Sequence, residues 1–290
     1  MNSILNDKFT HVFSYNNKPV LYCDSGDVIE FNTLDCFGEK LVPEGTTLKD
    51  DAPRNCNPCT GPLFIRNAFP GDTLRVDIQN INVGKTGVIL IGPSELKFQN
   101  NLTEYEIKRI PIKNKKAIIN EHIEIPIDPM IGVIGVAPTN EVPTGLSGSH
   151  GGNMDCSEIK EGTSVYLPVY IEGGLLSIGD LHALMGDGEI GGNGLEISGK
   201  VVVKVSVIKN MRVKGPQIET KDKWMTVATN TDLERASLDA SEMMLEHLMV
   251  KHNYSIEDAN LLLSLLGYIK VCKVGYFENT MRMEISKDIL

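Results

Sequence analysis

The sequence contains no run of about 20 uncharged apolar residues, the length a membrane-spanning helix needs. Its first thirty residues, interrupted by Asp7, His11 and Asp24, lack the apolar core of a secretory signal. No stripe of Lys and Arg is present. The formal charge is -10, and the densest basic run, Lys113 to Lys116, is broken by Asn114. Without concentrated positive charge to meet phosphates, neither nucleic acid nor a membrane is an expected partner. Six cysteines and no secretory signal predict reduced thiols and a cytoplasmic location. Cys56-Asn57-Pro58-Cys59 is a lone CxxC, two ligands short of a structural zinc knuckle, and reads as a turn with ordinary free thiols. Absent too are GxxxxGK[ST], a GxGxxG between strand and helix, the GxSxG elbow and EF-hand acidic spacing.

What is there is β pattern. The 290 residues, 41% hydrophobic and 23% charged, suffice for one large β domain or two domains. Val28 to Leu34, Leu74 to Ile81, Val165 to Ile171 and Ile197 to Ile208 alternate or run apolar, rich in β-branched residues. Phe69-Pro70-Gly71-Asp72 and Glu172-Gly173-Gly174 punctuate them. Pro126 and Pro129 keep Glu124 to Val136 extended. Many short strands at this spacing predict a mainly β fold, sandwich or barrel-like, built from antiparallel pairs.

The pattern changes after Pro216. From Asp232 to Lys251, Leu233, Ala236, Ala240, Met243, Met244 and Leu248 recur at helical spacing, a face expected to pack in the core. Ser255-Ile256-Glu257-Asp258 fits a capping box before a second helix carrying Ala259, Leu262, Leu263 and Leu266, with Gly267 as its C-terminal cap. Ile269 to Val274 and Thr280 to Ile285 read as two closing strands. The expected organisation is a β-rich catalytic region over residues 1–211 and an α+β C-terminal region over 212–290, two helices and two strands packed on it.

Two Gly-rich segments carry the candidate chemistry: Ser149-His150-Gly151-Gly152-Asn153-Met154-Asp155, and Gly179-Asp180-Leu181-His182-Ala183 through Gly186-Asp187-Gly188-Glu189. If one strand runs through Asp180 and His182, both side chains leave the same face. A carboxylate and an imidazole so placed can grip one divalent ion, and the ligand mix suits zinc. His150 and Asp155 offer a second such pair. The competing reading is that the glycines serve hairpins and His182 is a satisfied interior histidine. Asp187, in a Gly-Asp-Gly turn, reads as turn chemistry, and His11 as a structural or surface residue.

Longer stretches resemble one family. Asn57-Pro58-Cys59-Thr60-Gly61-Pro62 with Pro70-Gly71-Asp72, Ile131 through Pro138, His150-Gly151-Gly152-Asn153-Met154-Asp155, Leu167-Pro168-Val169, and Gly179 through Glu189 are similar, in order, to motifs of the acetamidase/formamidase family. The resemblance runs from near Phe13 to near the C-terminus. It departs at Leu181, which replaces a frequent glycine, and at Leu184-Met185, where members often carry a small residue and a glutamine. It implies a β-rich fold of sandwich and barrel-like parts with an α+β C-terminal portion, and a homodimer. The implied reaction is metal-dependent release of ammonia from a small aliphatic amide. The site set it suggests is Asp35, Asp155, Asp180 and His182 for the metal, with His150 and Glu189 for proton transfer. Zinc is the expected ion, with room for a second, oxygen-liganded ion such as calcium. Two alternatives stand beside it: a metal- or small-ligand-binding β-sandwich without turnover, and a hydrolase of another C–N bond.

Overall fold

A computed structural model describes residues 1–43, 56–92, 102–275 and 277–290. Two large open sheets organise the described residues, one of nine strands and one of twelve, with a two-stranded pair beside them. Neither large sheet closes into a barrel. In Val28–Thr33 the buried residues are Ile29, Phe31 and Thr33, every second position; in Gly199–Ile208 they are Val201, Val203 and Val205. This period of two puts one face of each strand inward. There these side chains meet Leu63, Ile131, Ile134 and Ile178 of the other sheet in one continuous core. Each fully buried Ile or Leu contributes about 1.5–3 kcal/mol. Pairing is antiparallel apart from Asn2–Ile4 on Val28–Thr33 and Leu21–Cys23 on Cys59–Ile65.

Beyond residue 212 the chain forms four strands rather than the two closing strands expected, because Gln217–Glu219 and Lys223–Asn230 join Tyr268–Val274 and Asn279–Ser286. All four extend the nine-stranded sheet, entered where Gln217–Glu219 pairs with Ser164–Pro168. Helix α1, Leu233–His252, starts on Asp232, whose side chain accepts from Arg235 N, and stops at left-handed Asn253. Helix α2, Ile256–Leu266, starts on Ser255, which accepts from Asp258 N. Ala240, Met244 and Leu248 of α1 pack with Trp224, Met283 and Ile285 in a second core. Leu233 and Leu266, expected on the packed faces, are exposed instead, at the outer ends of the two helices. Among the described residues no helix is long and apolar enough to cross a membrane.

Candidate active site

The strand Leu176–His182 pairs with Met130–Gly135 on one side and with Cys59–Ile65 and Glu196–Ile197 on the other. His182 therefore stands directly opposite Glu196, and His182 Nε2 lies 3.1 Å from Glu196 Oε1. Asp180 breaks the strand's regularity with φ +56°. Gly132, in the facing strand, makes that kink possible. A β-carbon there would come within 2.8 Å of the Asp180 carbonyl and 2.6 Å of Asp155 Oδ1. Asn57, Asp155 and Glu189 share the left-handed conformation, at φ +60°, +44° and +46°. Four such non-glycine residues around one cavity, each costing on the order of 1 kcal/mol, mark a place where side-chain direction outranks backbone comfort.

The cavity they face has a volume of about 310 Å³ and includes Asn57, Asp155, Asp180, Glu189, Glu196 and Lys273 in its wall. With Glu278, five carboxylates meet the ammonium of Lys273, the single one in the wall among the described residues. Lys273 Nζ is 3.1 Å from Asp155 Oδ2 and donates to the Asn153 carbonyl at 2.5 Å. Burial would lower its pKa, but Asp155, Glu189 and Glu278 outweigh that and hold it above the ordinary lysine value. His182 is likewise opposed by burial, yet Glu196 and Asp180 keep it well above the usual imidazole range. Burial pushes Glu196 up to about 8, against the pull of His182, and pushes Glu189 well above the carboxylate range, reinforced by Asp155. Asp155 Oδ1, Asp180 Oδ1, His182 Nε2 and Glu196 Oε2 are buried without a hydrogen-bond partner. Buried polar atoms are seldom left so.

Of the residues singled out in the sequence, Asp155, Asp180, His182 and Glu189 come together. Ligand atoms of Asp155, His182 and Glu189 lie within 4.8 Å of one another, and Asp180 Oδ1 is 3.5 Å from His182 Nε2. Asp35 sits outside the cavity wall, fully buried, its Oδ1 accepting from Glu39 N at 2.6 Å and its Oδ2 without a partner. Burial pushes Asp35 up to about 6. His150 does not line the cavity. It packs edge-on against Phe13, ring centroids 5.1 Å apart, and burial lowers its pKa to about 4.

Glu196, Lys273, Asn57 and Cys36 were missed in the sequence. Cys36 and Glu196 form a second close group with Asp180, and Asn57 Nδ2 donates to Asp180 Oδ2 at 3.0 Å. The available signal was a lone charge in an apolar run: Leu195-Glu196-Ile197 and Val271-Cys272-Lys273-Val274. A charge flanked by buried apolar residues needs a partner, and here the partners are the site.

The sequence profile of the Acetamidase/Formamidase family matches residues 144–271. A formamidase of Methylophilus methylotrophus is 48% identical over 62 residues, 21% of this chain but 15% of that protein's length. The crystal structure of an acetamidase from Bacillus halodurans superposes with a TM-score of 0.95 at 37% identity, covering 99% of this chain and 98% of that one. That of a predicted acetamidase/formamidase from the thermophile Thermoanaerobacter tengcongensis gives 0.95 at 40% identity, covering 100% and 96%.

Proposed function

The chain belongs to the acetamidase/formamidase family, and on that premise we propose that it is an amidase that splits a small linear amide into a carboxylate and ammonia, with the help of a divalent cation. The carrying observation is the concentration of five carboxylates around one lysine in a cavity large enough for a small amide and a water. Such a wall asks for a cation. The donor set fits one: Asp155 and Asp180 each present a buried carboxylate oxygen without a hydrogen-bond partner, and His182 Nε2 lies beside them, 3.5 Å from Asp180 Oδ1. Two carboxylates and one imidazole suit zinc. A second, oxygen-liganded ion such as calcium would lean on the same carboxylates. When bound, a divalent ion supplies Lewis acidity and lowers the pKa of water.

The chain's own groups supply the rest. Glu196, with its pKa near 8, is balanced between acceptor and donor at neutral pH, as a general base should be. Glu189, held protonated by burial and by Asp155, can give its proton to the departing amine. Lys273 presents a positive charge on the cavity wall where an oxyanion could form, and a preorganised charge of this kind lowers the barrier most. Asn57 holds Asp180 from the opposite side. His150, away from the cavity, is left with a structural role. A cytoplasmic, homodimeric enzyme is the form this reading expects.

The test is ammonia release from formamide and acetamide, with cyclic amides alongside, and metal content measured on the same preparations. Wild-type protein should turn over a linear amide. His182→Ala should lose that activity and most of the bound ion while keeping its far-UV circular dichroism. Full activity in metal-free His182→Ala would refute the metal mechanism. A folded, metal-loaded wild type inert on every amide would refute the amidase.

A further inference from the structure

On the side of His182 away from the carboxylates, its Nδ1 faces the sulfur of Met185 at 3.3 Å. The ring is fully buried, and a β-carbon at Gly194 would come within 2.6 Å of it. Nε2 points the other way, to Asp180 Oδ1 at 3.5 Å and Glu196 Oε1 at 3.1 Å. Met185 is not part of the cavity wall. It is half-buried in a separate groove of about 680 Å³ whose sides include Leu184, Ile190 and Leu195.

We propose that Met185 is the positioning residue of His182: its sulfur accepts the Nδ1 proton and keeps Nε2 aimed at Asp180 and Glu196. The partner of the outward nitrogen ordinarily fixes the orientation of a ligating histidine and tunes its basicity, and is most often a carboxylate, a carbonyl or a water. A thioether accepts more weakly than any of these. The contact therefore fixes direction while adding little electron density to the ring. An amide oxygen at position 185 would give both. Met185 does not face the cavity, and its contact with His182 is a direct link to it; Glu189 and Asn193 border both the cavity and the groove.

The expectation for metal affinity rests on the reading of His182 as a ligand; the contact itself does not. Met185→Leu keeps volume and removes the acceptor, a swap folded cores tolerate. Met185→Gln replaces it with a stronger one. The measurements are zinc affinity by chelator competition, the exchange rate of the His182 Nδ1 proton by NMR on metal-free and zinc-loaded protein, and the kcat and KM of amide turnover. Met185→Leu should lose about 10-fold in zinc affinity, the low end for removing such a partner, and its Nδ1 proton should exchange faster. Met185→Gln should recover both, and KM should stay unchanged in either variant. Equal exchange rates in wild type and Met185→Leu, or equal zinc affinities, would overturn the proposal. If wild type binds no zinc, the metal reading falls, and the exchange rates on metal-free protein still decide whether the sulfur holds the ring.

Discussion

His182 and His150 enter the structure from segments that look alike in sequence, each a histidine in a Gly-rich stretch with an aspartate within five residues. Both are buried. Their surroundings are opposite. Across the sheet from His182 stands Glu196, and Asp180 leans on the same nitrogen. Around His150 are Phe13 and the bare backbone of Gly148 and Gly152. Glu196 and Asp180 therefore pull the pKa of one ring up, while burial alone pulls that of the other down. Local sequence says that a histidine is inside; the cross-strand neighbour says what it does there.

The comparison breaks most visibly at Glu196. If that carboxylate belongs to the chemistry around His182, Glu196→Gln should reduce ammonia release by ~10²–10⁴-fold, the usual worth of a positioned acid or base. The amide nearly preserves shape, so far-UV circular dichroism and the melting temperature should change little. Activity within a factor of two of wild type would place Glu196 among structural partners of the imidazole.

His150 sharpens the other half of the contrast. Its folded pKa, about 4, lies below the value near 6.5 of an unfolded histidine. Between those values the unfolded chain binds the extra proton. The stability that neutral His150 contributes is thus complete above about pH 6.5 and is lost as pH falls toward 4. From pH 7 to pH 5 the loss amounts to about 2 kcal/mol. Asp35 and Glu196, their pKa values raised by burial, shift stability the other way over the same range. The His150 share is therefore read as the difference between wild type and a variant in how urea unfolding changes from pH 7 to pH 5. A His150→Gln variant should lose less by about the same amount. An equal loss in both proteins would mean that His150 is not held neutral.

The β-rich first 200 residues and both helices were legible because period-two and period-3.6 patterns are local, and both caps fell on the residues that cap chemistry favours. Gln217–Glu219 was missed because three residues carry no period. At the site, Asp155, Asp180, His182 and Glu189 were legible as polar residues in Gly-rich segments. Lys273 was not, since it lies about 120 residues from Asp155 and is brought there by sheet order. The shared-face argument for Asp180 and His182 assumed a regular strand, and left-handed Asp180 departs from one, although the two side chains do meet. Asp187, read as turn chemistry, does more than turn. It accepts from Arg282 at 2.7 Å and from Ser157 at 2.6 Å, tying the segment before Glu189 to the C-terminal strands.

The smallest expected effect concerns Cys56 and Cys59, the lone CxxC read from the sequence as a turn with ordinary free thiols. Cys59 is fully buried beside Phe13 and Val133, and its Sγ donates to the Asn57 carbonyl at 3.4 Å. Cys56 is half-buried at the cavity wall. Among the described residues, the cysteine that stands within ligand distance of Asp180 and Glu196 is Cys36, and neither Cys56 nor Cys59 belongs to such a group. Cys59→Ser places a more polar atom in an apolar setting but keeps a donor for Asn57, so the expected cost is about 1 kcal/mol. Asn57 in turn holds Asp180, which puts Cys59 one hydrogen bond behind the site without a place in it. Metal content and ammonia release should stay within a factor of two in Cys56→Ser and in Cys59→Ser. The contrast with Cys36→Ser makes the assay informative, because among the described residues it is the Cys36 sulfur that groups with Asp180 and Glu196 at ligand spacing. Loss of one metal equivalent in Cys59→Ser would mean that the CxxC, and not the carboxylate cavity, holds an ion.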